Sequence, residues 1–132
     1  MIVIDASALL EILLRTKQAD LLMARALDAA ERLHAPHLLD IEVTQVLRRL
    51  LQRKEITLTR AEHAFDDLSN LVIERHEHRS LVPRAWQLRD SLTAYDAVYV
   101  ALAEALDAPL LTCDAKLAGA QGHQAKIELV AN

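Results

Sequence analysis

Short apolar runs, each leading into a helical stretch, constrain this chain more than any other feature. Ile2-Val3-Ile4 is a β-branched run with no polar alternation, as in a strand covered on both faces, and Asp5-Ala6-Ser7 then supplies side-chain caps for a helix. From Ala8 to Leu33 apolar residues recur at helical spacing (Leu10, Leu13, Leu14; then Leu22, Ala26, Ala29, Leu33), and the polar break at Arg15 to Gln18 divides them into two helices. Ala35-Pro36 interrupts the pattern, with room for a very short second strand at His34 to Pro36. A longer helix is predicted from about Leu38 to Lys54, with Leu39, Val43, Val46, Leu47 and Leu50 on one face. Thr59 with Glu62 reads as a capping box for a helix to about Asn70, and Leu71-Val72-Ile73 as a strand. Ser80 and Pro83 open a helix through about Asp90, and Thr93-Ala94-Tyr95-Asp96 caps an Ala-rich one to Leu106. Leu110-Leu111-Thr112 is a strand, Asp114 begins a short helix, and Ile127 to Val130 forms a last strand. Alternating helices and buried strands predict one α/β domain over residues 1–132: a central, mostly parallel sheet of four to five short strands flanked by helices.

Four acids occupy equivalent places in this pattern. Asp5 and Asp114 follow strands, while Glu42 and Asp96 lie in the first turns of helices. Taken singly, each has a plain structural explanation as an N-cap or a complement to a helix dipole. Taken together they converge, because in an open parallel sheet the carboxyl ends of the strands and the following helix N-termini share one edge, where the ligand crevice forms. Clustered carboxylates repel one another and call for a counter-charge. An all-oxygen donor set suits Mg²⁺ or Mn²⁺ rather than zinc, and such a site activates water and stabilises charge on a phosphodiester.

Composition agrees. Fifteen Lys plus Arg against nineteen Asp plus Glu give a net charge of −4, so no general polyanion-binding surface is advertised. Setting the four acids aside leaves equal numbers of acidic and basic residues. Two glycines, Gly119 and Gly122, provide no phosphate-cradling loop, which excludes Walker-type, kinase and Rossmann readings. The single Cys113 excludes an internal disulfide and suits a reducing compartment; with no basic leader or membrane-length apolar run, a cytoplasmic location is expected.

The segments Val3-Ile4-Asp5-Ala6-Ser7-Ala8, Asp40-Ile41-Glu42-Val43, Thr93 through Ala103 and Leu110-Leu111-Thr112-Cys113-Asp114 resemble the PIN-domain ribonucleases, specifically VapC toxins of bacterial toxin-antitoxin pairs. The similarity runs from Ile2 through the final strand. It implies a PIN-like α/β/α sandwich and a Mg²⁺-dependent endoribonuclease with Asp5, Glu42, Asp96 and Asp114 as catalytic metal-binding carboxylates. It also implies an RNA substrate, a homodimer, and a VapB-type antitoxin that neutralises the toxin in a hetero-oligomer. Ser7 and Thr112 match hydroxyl positions near that site; a first-turn cap and an ordinary β-former fit them equally. Many relatives have glycine where this chain has Asp107, and Asp tolerates the left-handed conformation that a helix end needs there.

Arg48, Arg49, Arg53 and Lys54 are the densest basic cluster and candidate RNA contacts, although a solvated helix end explains them too. Arg75, Arg79, Arg84 and Arg89 form a second candidate. Four aromatic residues are too few for an extended base-stacking platform. His76 and His78, even with Cys113, match no common zinc pattern and read as surface histidines. Leu-rich stripes in the first two helices read as core, with room for an exposed groove that takes a partner helix or strand. Two rival readings remain: a receiver-like phosphotransfer domain, and a catalytically silent PIN-like scaffold.

Overall fold

The computed structural model describes residues 1–28 and 31–130. Five strands, β1 (Ile2–Ile4), β2 (Leu33–Pro36), β3 (Ile73–His76), β4 (Leu110–Thr112) and β5 (Ile127–Leu129), form one sheet in the order β3-β2-β1-β4-β5, and every pairing is parallel. Helices make the crossovers: α1 (Ala6–Leu13) and α2 (Ala19–Ala26), then α3 (Leu38–Gln52) and α4 (Leu58–Asn70), then α5 (Val82–Gln87) and α6 (Ala94–Leu106), and finally α7 (Ala115–Ala118). Helices α1, α3 and α4 pack on one another, while α6 packs with α5 and lies against β1, β2 and β4. The parallel sheet flanked by helices is the architecture expected from the sequence.

The chain winds outward from β1 through β2 to β3, then returns to the other side of β1 for β4 and β5. The winding therefore reverses between β1 and β4, where a crevice opens beyond the carboxyl ends of the strands. In a receiver-type sheet the first strand neighbours the third. Here β1 neighbours β2 and β4, which removes the phosphotransfer reading.

Burial follows the pattern of the sequence where that pattern was strongest. Ile2, Val3 and Ile4 are fully buried, as are Leu110 and Leu111, because helices cover these central strands on both faces. Leu39, Val43 and Leu47 of α3 are buried, with Val46 and Leu50 half-buried on the same stripe. Thr93 caps α6 through the Asp96 N–H, and Asp107 ends it with φ 50° and ψ 46°, the left-handed conformation expected of it.

Elsewhere the boundaries shift. Leu33 is a strand residue opposite Ile2, so its burial owes nothing to a helical stripe, and Ala29 of that stripe lies outside the described residues. The third strand is Ile73–His76 rather than Leu71-Val72-Ile73: Val72 is 91% exposed, and a polar edge strand buries little more than Ile73. The helix after Pro83 ends at Gln87 rather than Asp90, and a 3₁₀ turn at Arg79–Leu81 precedes it. The cap of α4 is Thr57, whose hydroxyl accepts from the Arg60 N–H at 3.1 Å, and Thr59 lies inside the helix. Thr57→Ala is therefore expected to cost about 1 kcal/mol in denaturant unfolding and Thr59→Ala less than about 0.5 kcal/mol; equal losses would remove the assignment of the cap.

Candidate active site

Asp5 immediately follows β1, and the β1–β4 register sets it beside Thr112. Its side chain caps α1, with Oδ1 accepting from the Ala8 N–H at 3.0 Å, so the plain capping role is present. The remaining contacts exceed what a cap requires. The Ser7 hydroxyl donates to Asp5 Oδ1 at 2.6 Å and the Thr112 hydroxyl to Asp5 Oδ2 at 2.5 Å. The Cys113 N–H in turn donates to Ser7 Oγ and the Asp114 N–H to Thr112 Oγ1, both at 3.0 Å. Two parallel chains of donors thus run from the turn after β4 through a hydroxyl to each oxygen of a carboxylate that is only 4% exposed. Ser7 and Thr112, for which cap and β-former readings stood level with a site role, both orient Asp5.

Asp114 caps α7 through the Lys116 N–H, which places it at the same sheet edge. Asp96 lies in the first turn of α6 and Glu42 one turn into α3. All four acids line one cavity of about 540 Å³, together with Ser7, Tyr95, Tyr99 and Arg49. Four positions spread from residue 5 to residue 114 therefore line one crevice, at the sheet edge that the sequence reasoning pointed to.

Tyr99 is the residue that the sequence reading missed. It is 1% exposed and its hydroxyl donates to Glu42 Oε1 at 2.6 Å. The signal was present, since Tyr99 stands three residues after Asp96 and so shares its helix face. Burial, with the carboxylate of Glu42 beside it, holds the phenol well above its ordinary pKa, so it remains a donor.

The site is electrostatically unfavourable by itself. Burial pushes the Asp5 carboxyl up against the lowering effect of hydrogen bonds from Ser7, Thr112 and Ala8, and the charge of Asp114 adds to the rise. Glu42 is raised by burial and by Asp96 and Asp5, against its bond from Tyr99. Asp96 is raised by burial, then by Asp114 and Asp5. Every donor facing the cavity from these four side chains is a carboxylate oxygen, so the set fits a hard divalent cation, whose charge would remove the strain.

The basic candidates separate. Arg49 lines the cavity, while Arg48 on α3 and Arg53 just past its end are exposed and are not among its lining residues. Arg75 is engaged by Asp40 in a two-point ion pair at 2.7 and 2.8 Å, Arg84 by Glu104 at 2.8 and 3.0 Å, and Arg89 stacks on Trp86 at 4.6 Å. That second cluster is therefore not a common phosphate-gripping surface. His34 is buried against His76, so the surface reading of the histidines fails for His76, while His78 is exposed.

Comparison with known proteins agrees with this geometry. Residues 2–122 match the PIN domain. VapC ribonuclease Mb0985 of Mycobacterium bovis is 45% identical over 130 residues, covering 98% of each chain. Ribonuclease VapC12 of Mycobacterium tuberculosis is 42% identical over 99% of this chain and all of its own. Among solved structures, PAE2754 from Pyrobaculum aerophilum superposes with a TM-score of 0.70 at 22% identity, over 96% of this chain and 81% of that one. VapC20 of Mycobacterium tuberculosis, described as a toxin cleaving the sarcin-ricin loop, gives 0.63 at 15% identity, over 94% and 100%. These two share the fold. The chain belongs to the PIN-domain family, in its VapC branch.

An acid whose pKa is raised by folding favours the native state while protonated, and that contribution is lost as pH climbs through its native value. Asp5→Asn keeps an oxygen for the Ala8 N–H, and its amide N–H would donate to Thr112 Oγ1, whose own hydrogen can turn to Ser7 Oγ 3.2 Å away, so it is expected to raise the thermal midpoint of metal-free protein near neutral pH. The advantage should shrink on acidification. A variant less stable than the parent at neutral pH would contradict the electrostatic reading of the site.

Proposed function

We propose that this chain, as a single PIN domain over residues 1–132, is the toxin of a toxin-antitoxin pair and an endoribonuclease that hydrolyses phosphodiester bonds in selected cellular RNA. The observation that carries this reading is the convergence of Asp5, Glu42, Asp96 and Asp114 on one cavity at the reversal of the sheet, in a chain of the VapC branch.

In this reading the four carboxylates hold Mg²⁺, with Mn²⁺ as a substitute, and serve as the catalytic set. The bound ion supplies Lewis acidity toward a phosphodiester and an acidified water. The protein supplies placement. Ser7 and Thr112 fix both oxygens of Asp5, and the phenol of Tyr99 fixes one oxygen of Glu42. Arg49, which lines the cavity, would meet an RNA phosphate, with Arg48 beside it in α3 and Arg53 just past the end of that helix for flanking phosphates. The acids also repel the backbone of RNA until the ion is present, which makes substrate binding and metal loading interdependent.

The partners proposed are an RNA substrate, a VapB-type antitoxin and a second copy of the chain, acting in the cytoplasm. Support for a protein partner comes from Leu21, Met23 and Leu27, exposed apolar residues on and just beyond α2, beside a cleft lined by Ile12, Leu13, Ala19, Met23 and Leu71. No helix among the described residues is long and apolar enough to cross a membrane.

The test is to sequence RNA 5′ ends after brief expression of the wild type and of Asp96→Asn. Discrete cuts that disappear in the variant are expected. In purified form, Asp96→Asn should lower cleavage by about a thousandfold while circular dichroism stays unchanged, and chelation should stop the wild type until Mg²⁺ or Mn²⁺ is restored. Undiminished cleavage by the variant or in chelator sinks the proposed carboxylate site, and absence of any cleavage by the wild type would favour the silent scaffold.

A further inference from the structure

At the β3 edge of the sheet, on β2 and β3, a second group of ligand-type side chains assembles. In the β2–β3 register His34 faces Glu74 and Pro36 faces His76, so His34, Glu74 and His76 project from the same face. His34 Nδ1 lies 2.8 Å from His76 Nε2 and 3.6 Å from Glu74 Oε2, and the three ligand atoms lie within 4.8 Å of one another. The residues grade outward: His34 is 3% exposed, His76 is half-buried, and the Glu74 carboxylate reaches solvent.

An imidazole pair facing nitrogen to nitrogen holds one shared proton and leaves His34 Nε2 buried without a partner. Such a contact is a modest return for burying a histidine in the sheet. Burial lowers the pKa of His34, which keeps the ring neutral, the form that ligates metals.

We propose that His34 Nδ1, His76 Nε2 and the carboxylate of Glu74 form a second metal site, for a borderline transition-metal dication such as Zn²⁺, with its fourth position open to water. Two imidazoles and one carboxylate are a common zinc donor set. With Zn–N bonds of about 2.0–2.1 Å in tetrahedral geometry, the two nitrogens would stand about 3.3 Å apart, an opening of roughly half an ångström that tilting of half-buried His76 provides. The two sites differ in softness, since the crevice offers only oxygens and the edge site is mainly imidazole. The His37 N–H donates to the His76 carbonyl at 2.9 Å, so an ion here would clasp the edge strand to the strand that leads into α3 and Glu42. This proposal does not depend on the ribonuclease reading.

The experiment is calorimetric titration of chelator-stripped, dialysed protein with Zn²⁺ in a large excess of Mg²⁺, added to compete with Zn²⁺ for the oxygens of the crevice. Wild type and Asp5→Asn are expected to take up about one equivalent. Glu74→Gln and His76→Gln should each weaken that uptake by about tenfold or more. Zn²⁺ should also raise the unfolding midpoint of the wild type by roughly 5 °C and that of the two ligand variants by much less. Glu74 is exposed, so Glu74→Gln decides the matter even if His76→Gln does not fold. Absence of saturable Zn²⁺ uptake, uptake undiminished in Glu74→Gln, or uptake lost in Asp5→Asn would each overturn the site and leave a hydrogen-bonded imidazole pair.

Discussion

The saturation of Asp5 by two hydroxyls is the interaction on which the rest of the crevice depends. A carboxylate buried at the end of a central strand would be costly if its oxygens lacked partners. Here one oxygen receives the Ala8 N–H and the Ser7 hydroxyl, and the other receives the Thr112 hydroxyl. Because Ser7 and Thr112 accept in turn from the N–H groups of residues 113 and 114, the turn after β4 is locked to the turn after β1. Asp114 is thereby brought to the same edge, and the position of one acid sets that of another.

Much of this was legible in the order of residues. Strands β1 and β4 announce themselves because central parallel strands lack alternation, and α6 because its capping residue and its acid fall at the right interval. The four acids could be chosen since the parallel architecture fixes where the carboxyl end of every strand must lie. What stayed hidden depends on contacts between distant segments. Tyr99 looks like an ordinary core residue until α6 is laid beside α3. The pairing of Arg75 with Asp40 is invisible without the strand register, and so is the meeting of His34 with His76, forty-two positions later. The edge strand was expected two residues too early at its start and three at its end because apolar character alone drew it to Leu71 and Val72, whereas an edge strand needs only one covered face.

Charge is distributed with the same economy. Arg25 is held between Glu31 and Glu128, Arg84 on Glu104 and Arg75 on Asp40, so several basic side chains serve to tie separate segments together. These pairs are partly exposed, and each contributes modestly to stability. Their larger effect is on the surface field, because they cancel local charge away from the crevice and leave the negative potential concentrated there.

The two halves of the Asp5 network lie far apart along the chain, with Ser7 and Thr112 separated by 105 positions. A nascent chain still lacking Thr112 and Asp114 has its first strand and first helix but no partner for them on the other side. Early termination products of this gene, and chains still emerging from a ribosome, are therefore without a completed centre. Closing so long a loop carries an entropic cost that local helical contacts do not, so the Asp5 network can form only after the β4 segment has been made.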